Sequence, residues 1–189
     1  TGVSEVNTRQ LTKMYEDEIK PRTPRTSFYN CLKNSAKQFY MTNADGHYML
    51  AGYPWFKVRA RDEFIALPGC TLSNHHRPDF EAIMDTAKEA FTRWMETGEP
   101  DKHLQGIDLP DVPLWAAWAI QRYSHDTDVP TARERYGELV AQLIDFIIDG
   151  KHPNLQVDDN GLVRTDGTRQ PMSWMDSARP DGTPLIPRT

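Results

Sequence analysis

Arg61 and Asp62 are adjacent residues of opposite charge that follow a segment, 54–60, crowded with aromatic and basic side chains. A carboxylate beside a guanidinium can bind vicinal hydroxyl groups, because the carboxylate accepts hydrogen bonds and the guanidinium donates two in a fixed geometry. Trp55 adds an aromatic face for a sugar ring. An aspartate at a helix start is more often a cap or a partner of the helix dipole. The aromatic neighbours, in a segment predicted to be an irregular loop, favour a sugar-binding site instead.

Asp176 lies in the run Trp174-Met175-Asp176, within the long aperiodic segment 166–189. An exposed loop acid is the ordinary interpretation of such a residue. A loop of this length is usually either functional or disordered, and two large apolar neighbours argue against disorder. A carboxyl group held against a tryptophan keeps its proton to higher pH, which suits a general acid. Asp176 is therefore a candidate proton donor.

Other reactive constellations are not found in the sequence. His75 and His76 are adjacent and point apart on a helix, and no set of Cys, Asp or Glu has the spacing of a metal site. The eleven glycines are isolated turn and stop signals rather than a phosphate-binding loop. No metal and no cofactor is predicted.

The elements that must position these residues follow from apolar periodicity. Residues 1–26 are predicted to form a polar linker or a short helix around Leu11 to Ile19. The pattern predicts later helices over 27–40, 62–72 with a break near Pro68-Gly69, 78–97, 113–121 and 131–148, the last opened by a Thr131–Glu134 capping box.

The helix at 113–121 is apolar on all sides, which predicts burial all round. Asp159-Asn160-Gly161 predicts a β-hairpin between two short strands. Amphipathic helices alternate with shorter, more apolar ones, so the chain is assigned to the all-α class with minor β-hairpins. About five helices after residue 26 would form a layer of helical hairpins. The clusters at Arg61-Asp62, at 111–115 and at Asp176 are expected at one end of that layer.

Composition excludes several classes of protein. The net charge of −5 and the lack of a Lys/Arg cluster argue against a nucleic-acid partner. No stretch is apolar enough to span a membrane. Cys31 and Cys70 cannot form a disulfide scaffold, and a reduced, cytoplasmic setting fits them. The first residues show neither a Met nor a signal-peptide pattern, so we expect part of a longer gene product.

Three ordered motifs resemble the amylo-α-1,6-glucosidase domain of glycogen debranching enzymes. They are Ala51-Gly52-Tyr53-Pro54-Trp55-Phe56 with Arg61-Asp62-Glu63-Phe64-Ile65-Ala66-Leu67-Pro68-Gly69, then Asp111-Val112-Pro113-Leu114-Trp115, and finally Ser173-Trp174-Met175-Asp176 with Thr183-Pro184 and Pro187-Arg188-Thr189. The resemblance runs from about residue 27 to the end. One departure is that the family often has Trp-Gly-Arg-Asp where this chain has Arg59-Ala60-Arg61-Asp62.

The resemblance implies an (α/α)6 barrel like that of glucoamylases, of which residues 27–189 would be the N-terminal part. It implies hydrolysis, with inversion, of α-1,6-linked glucose at the branch stubs of glycogen or another branched α-glucan. Asp176 would be the general acid, and Arg61 and Asp62 would hold the hydroxyls of the terminal glucose. The remaining substrate-binding residues implied are Trp55, Asp111, Trp115, Trp174 and Arg188.

The general base is expected in the remainder of the enzyme, so residues 1–189 alone are expected to be inactive. A partial barrel would leave apolar helix surface that self-association can cover. The alternative is a helical domain that binds glucan without hydrolysing it. If the same gene product contains the second half of the barrel with a carboxylate-bearing loop, the hydrolase is favoured over the binding domain. A purely structural helical protein would not explain why three clusters of aromatic residues with Asp all fall in predicted loops.

Overall fold

The computed structural model describes residues 7–20, 22–53, 55–169 and 171–187. These residues form six α-helices and two small antiparallel hairpins, with about half of the chain helical. The all-α class with minor β structure is therefore confirmed. By internal contacts the chain divides into two compact units, Thr1–Gln38 and Phe39–Thr189.

The first unit contains two helices, α1 (Thr8–Ile19) and α2 (Phe28–Lys37). Asn7 and Gln10 form a capping box that begins α1, which confirms the short helix expected in this region. The side chain of Ser27 caps α2 by accepting from the backbone N–H of Asn30. Asn34 is the buried residue of α2, and its amide bonds both backbone groups of Thr23.

The second unit opens with a hairpin of β1 (Tyr40–Asn43) and β2 (Gly46–Met49). The predicted extension of the preceding helix to residue 40 is wrong, because Tyr40 pairs with Met49 across this hairpin. The phenol of Tyr40 also donates to the carbonyl of Cys70 at 2.6 Å. Tertiary contacts thus hold Tyr40 in a strand although the apolar spacing continues through it.

Four more helices complete the second unit, namely α3 (Ala60–Cys70), α4 (Arg77–Thr97), α5 (Val112–Asp126) and α6 (Val129–Ile148). Helix α3 packs against α5, and α5 packs against α6. Aromatic rings fill the core between the helices, with Phe80 stacked on Tyr123 at 5.1 Å and Phe64 on Phe91 at 5.7 Å between centroids. This packing holds the beginnings of α3 and α5 close together.

The start of α3 differs from the prediction in a way that matters for the site. Residue 59 forms a parallel β-bridge with Gln105, and the backbone N–H of Ala60 donates to the carbonyl of Gln105 at 2.9 Å. The helix therefore begins at Ala60, two residues early, and Arg61 lies in its first turn rather than in a loop. The predicted break at Pro68 is also wrong. Pro68 removes one helical hydrogen bond near the end of α3, where its buried ring is held by packing.

Two further helix predictions are wrong. Asp128 caps α6 by accepting from the backbone N–H of Thr131 at 2.7 Å, so the helix begins before the expected Thr131–Glu134 box. Helix α5 is not buried all round, because Leu114 is 60% and Trp118 is 37% exposed.

A second hairpin follows α6, formed by β3 (Gln156–Val157) and β4 (Val163–Arg164). Gly161 adopts a φ of +80° in the turn, a conformation that glycine tolerates without strain. The hairpin predicted from Asp159-Asn160-Gly161 is confirmed. Within the described ranges, no helix is long and apolar enough to cross a membrane.

Candidate active site

Arg61 is a buried arginine at the start of α3 that holds the start of α5. Its Nε and Nη2 atoms donate to Oδ2 and Oδ1 of Asp111 at 2.7 and 2.9 Å. Asp111 is the residue directly before α5. This bidentate geometry fixes the plane of the guanidinium as well as its charge. The third guanidinium nitrogen, Nη1, does not bond to Asp111 and donates to a different side chain.

That group is Asp176, which the loop after the second hairpin brings to the same place. Nη1 of Arg61 donates to Oδ2 of Asp176 at 3.3 Å, and Nη1 of Arg59 lies 3.6 Å from the same oxygen. Trp115 joins the cluster because its indole Nε1 donates to Oδ2 of Asp111 at 3.2 Å. Arg61 thus connects segments that are 50 and 115 residues away in sequence.

A cavity of about 450 Å³ adjoins this cluster, and its described lining residues are Arg59, Arg61, Asp62, Gln105, Gly106, Leu109, Pro171, Asp176 and Ala178. Its volume falls within the usual range for small-ligand pockets, about 300–1,000 Å³. The wall combines guanidinium donors, carboxylate acceptors and an amide with a few apolar groups. Such a set of donors and acceptors can bind the hydroxyl groups of a sugar.

The structure brings together five of the eight residues singled out in the sequence. Arg61, Asp62 and Asp176 line the cavity, and Asp111 and Trp115 are bonded to the cluster. The aromatic platforms are placed differently: Trp55 is 83% exposed and Trp174 is 65% exposed, and neither is among the lining residues.

Arg188, also singled out in the sequence, lies outside the described residues. Instead of Trp174, the neighbours of the Asp176 carboxylate are Arg59 and Arg61. Its surroundings are therefore charged rather than apolar.

Sequence reasoning missed Arg59 and Gln105 as members of the site. Arg59 is half-exposed, and its guanidinium lies 5.2 Å from the centre of the Phe56 ring. The sequence did contain one indication of Arg59: it is a second basic residue two positions before Arg61, where the family motif often has Trp. Gln105 had no local signal, because only the β-bridge to residue 59 brings it there.

Glu63 follows Asp62 in the chain but belongs to the core rather than to the cavity. Its Oε2 accepts from the backbone N–H of Met49 at 2.8 Å, and its Oε1 has no partner among the described residues. Complete burial raises the pKa of Glu63 to about 8, against the smaller opposing effect of the Met49 hydrogen bond. The carboxyl group is therefore mostly protonated at neutral pH and links α3 to β2.

Potential metal ligands do not cluster in the part of the chain that the structure describes: no group of three or more His, Cys, Asp or Glu is placed to hold an ion. The adjacent His75 and His76 sit at the turn before α4, and His75 adopts a φ of +60°. The site chemistry of the described residues is thus that of carboxylates, guanidinium groups, amides and one indole.

The sequence profile of the amylo-alpha-1,6-glucosidase family matches residues 33–189. This chain belongs to that family. The match includes all the motifs on which the resemblance was based, together with the Arg61 cluster and its cavity. No curated protein and no solved structure matches the chain significantly. Membership of the amylo-alpha-1,6-glucosidase family makes the chain a domain of glycoside hydrolase type.

Proposed function

We propose that this chain supplies the acid-bearing part of an enzyme that hydrolyses α-1,6-linked glucose at the branch stubs of glycogen or a related α-glucan. The observation that carries the proposal is the convergence of Arg61, Asp111 and Asp176 beside one cavity that Asp62 also lines. These residues come from three separate sequence motifs. Their convergence supports a common substrate, because one sugar ring can contact groups from all three segments only if they meet.

In the proposed mechanism Asp176 protonates the glycosidic oxygen as the bond to the terminal glucose breaks. Arg61 and Asp62 hold the hydroxyls of that glucose, and Asp111 orients Arg61 through its bidentate pair. Trp115 orients Asp111 in turn through its indole hydrogen bond. An inverting enzyme needs a second carboxylate about 6.5–9.5 Å from the acid, with room for a water between them. Asp111 is engaged by Arg61, so we assign the general base to the remainder of the enzyme.

We also propose that the remainder of the barrel packs against the exposed side of α5.

The proposed location of the protein is the cytoplasm. Cys31 and Cys70 are both free thiols, which fits a reducing compartment. No cofactor is assigned to the reaction.

The experiment is hydrolysis of a branched oligosaccharide that carries a single α-1,6-linked glucose, by the enzyme that contains this chain. Release of free glucose, observed by NMR as the β-anomer first, is the expected result for inversion. Release of the α-anomer would contradict inversion but keep the hydrolase. Absence of any glucose release, with the oligosaccharide still bound, would contradict hydrolysis and favour the second candidate.

That second candidate is a domain that binds glucan without cutting it. One observation favours it: Asp176 lies beside two guanidinium groups, an arrangement in which its carboxylate accepts hydrogen bonds. The two functions differ in the expected effect of Asp176→Asn. For the hydrolase the substitution should reduce catalysis and leave binding unchanged, and for the binding domain it should weaken binding.

A further inference from the structure

Glu63 joins the first turn of α3 to the end of β2, directly beside two residues of the Asp176 cavity. Its Oε2 accepts from the backbone N–H of Met49, the last residue of β2, at 2.8 Å. Arg61 and Asp62, which line the cavity, precede Glu63 in the same helical turn. Glu63 is only 1% exposed, and none of the roles proposed above uses it.

The hydrogen bonding of Glu63 is that of a neutral acid. Its second oxygen, Oε1, is buried and has no partner among the described residues. A buried carboxylate needs several donors or a cation to replace its hydration, and the N–H of Met49 is a single donor. The protonated form loses much less on burial, so the arrangement fits a carboxyl group that keeps its proton.

The groups that face Glu63 from β2 and from the segment after α4 do not favour its ionisation. The negative charge of Asp101 raises the pKa of Glu63, and Asp101 is itself paired with Arg93 of α4. On β2, burial raises the pKa of Tyr48, so its phenol stays neutral. An ionised Glu63 would therefore meet a second carboxylate and a neutral ring.

The neighbours of Glu63 on α3 offer no partner either. Arg61 directs its three guanidinium nitrogens to Asp111 and Asp176, and Asp62 adds another carboxylate to the same turn. A charge on Glu63 must therefore gain water, and water reaches this buried group only if the first turn of α3 moves away from β2. Arg61 and Asp62 belong to that turn and would move with it.

We propose that Glu63 is a positioning residue, which holds Arg61 and Asp62 in the geometry for sugar binding only while its own carboxyl group is protonated. The cavity would then lose affinity for its sugar as pH rises, through a side chain that does not touch the sugar. This inference rests on the proposed function, because it takes the Asp176 cavity as the site for α-1,6-linked glucose.

The test is calorimetric binding of the α-1,6-linked disaccharide isomaltose between pH 6.5 and 9. If binding requires a protonated Glu63, its pKa of about 8 makes the dissociation constant rise about twofold by pH 8 and about tenfold by pH 9. Glu63→Gln keeps an oxygen for the N–H of Met49 and cannot ionise. It should bind isomaltose within about twofold of the wild type at pH 6.5, and equally well at pH 9.

Two control variants exclude other groups that titrate at alkaline pH. Cys70→Ser removes a thiol at the opposite end of α3, whose pKa is raised by burial. Tyr48→Phe removes the phenol nearest to Met49 in sequence. Both variants should keep the pH dependence of the wild type.

A second readout needs no sugar. The indole N–H of Trp115 donates to Asp111, which binds Arg61, so its NMR signal reports the arrangement at the start of α3. In the wild type this signal should shift with a midpoint near pH 8, the pKa of Glu63. In Glu63→Gln it should stay constant over the same range.

An isomaltose affinity that is constant up to pH 9 in the wild type would overturn the inference, as would equal losses in the wild type and Glu63→Gln. If the wild type binds no isomaltose at any pH, the proposed function is contradicted and the Trp115 signal decides. A midpoint near pH 8 that is absent from Glu63→Gln would still support the coupling of Glu63 to Arg61. A signal that does not change with pH would overturn it.

Discussion

Asp176 is the residue on which the proposed reaction depends, and its role can be separated from substrate binding. Asp176→Asn keeps the size of the side chain and removes the transferable proton. General acid catalysis contributes about 10²–10⁴-fold, and we expect kcat of the full enzyme to fall by the upper part of that range. Substrate binding should change little, as measured by KM and by direct titration.

An activated substrate provides the control. An α-glucosyl fluoride needs little protonation of its leaving group, so it should restore much of the activity of Asp176→Asn. Asp62→Asn weakens contacts present in both ground and transition states, so its KM should rise and the fluoride should not rescue it. Equal responses of the two variants to the fluoride would show that another carboxylate carries the proton.

The buried carboxyl group of Glu63 makes the free energy of unfolding depend on pH, which could not be predicted from the sequence. Its pKa is about 8 in the folded state against an ordinary 4.5. Between these values the unfolded chain is ionised while the folded chain keeps the proton, so the free energy of unfolding falls as pH rises and levels off above about 8. Glu63→Gln keeps an acceptor for the N–H of Met49 and abolishes this titration. Urea unfolding at pH 6.5, 7.5 and 8.5 should therefore show a flatter pH dependence for the variant.

The pH range is chosen because His152 also titrates differently in the folded state. Burial lowers its pKa to about 4, so it reduces stability as pH falls from 6.5 towards 4. Above pH 6.5 His152 is mostly neutral in both states, and the difference between wild type and Glu63→Gln reports Glu63. Parallel pH profiles for the two proteins would contradict the protonated, buried state of Glu63.

At the scale of elements, the pair of Arg61 and Asp111 joins the first turn of α3 to the start of α5. Asp111→Ala leaves a buried guanidinium without its main partner, and breaking a buried pair costs about 3–5 kcal/mol. We expect a large drop in the free energy of unfolding, measured by urea denaturation. The double variant Arg61→Met/Asp111→Leu should recover most of the stability and should bind no isomaltose. A stable Asp111→Ala protein would show that the pair does not hold the two helices together.

At the scale of the whole molecule, the exposed side of α5 is the feature that predicts association. Leu114 and Trp118 lie on this side. Single exposed apolar residues are common on protein surfaces, but two exposed apolar residues on one side of a largely apolar helix indicate a surface that another protein segment covers. Residues 1–189 alone should therefore self-associate, and sedimentation velocity at increasing concentration should show it. Leu114→Glu should reduce the association.

Val129→Glu is the matched control for that experiment. Val129 is exposed to nearly the same extent as Leu114, and a glutamate in the first turn of α6 favours the helix dipole. It should leave the association unchanged. Association that persists in Leu114→Glu would place the contact on another surface.

The sequence by itself determined the helical class, the second hairpin and the motifs by which the family is recognised. Apolar spacing is a local property, and it defines α4 and the long stripe of α6 regardless of what packs on them. Asp159-Asn160-Gly161 specifies a turn by its own backbone preferences. The motifs around Arg61, Asp111 and Asp176 were recognisable as sequence, and the family match covers all three.

Only the tertiary structure decided where α3 begins and which groups face Asp176. The bridge between residues 59 and 105 starts α3 at Ala60, and no local signal in the sequence indicates a pairing between positions 46 residues apart. The same contact brings Arg59 and Gln105 into the cavity wall, while Trp55 and Trp174 remain exposed. The start of a helix depends on which distant groups hydrogen-bond to its first backbone N–H groups, and a buried arginine depends on which distant carboxylates pair with its guanidinium. Tertiary packing decides which groups those are.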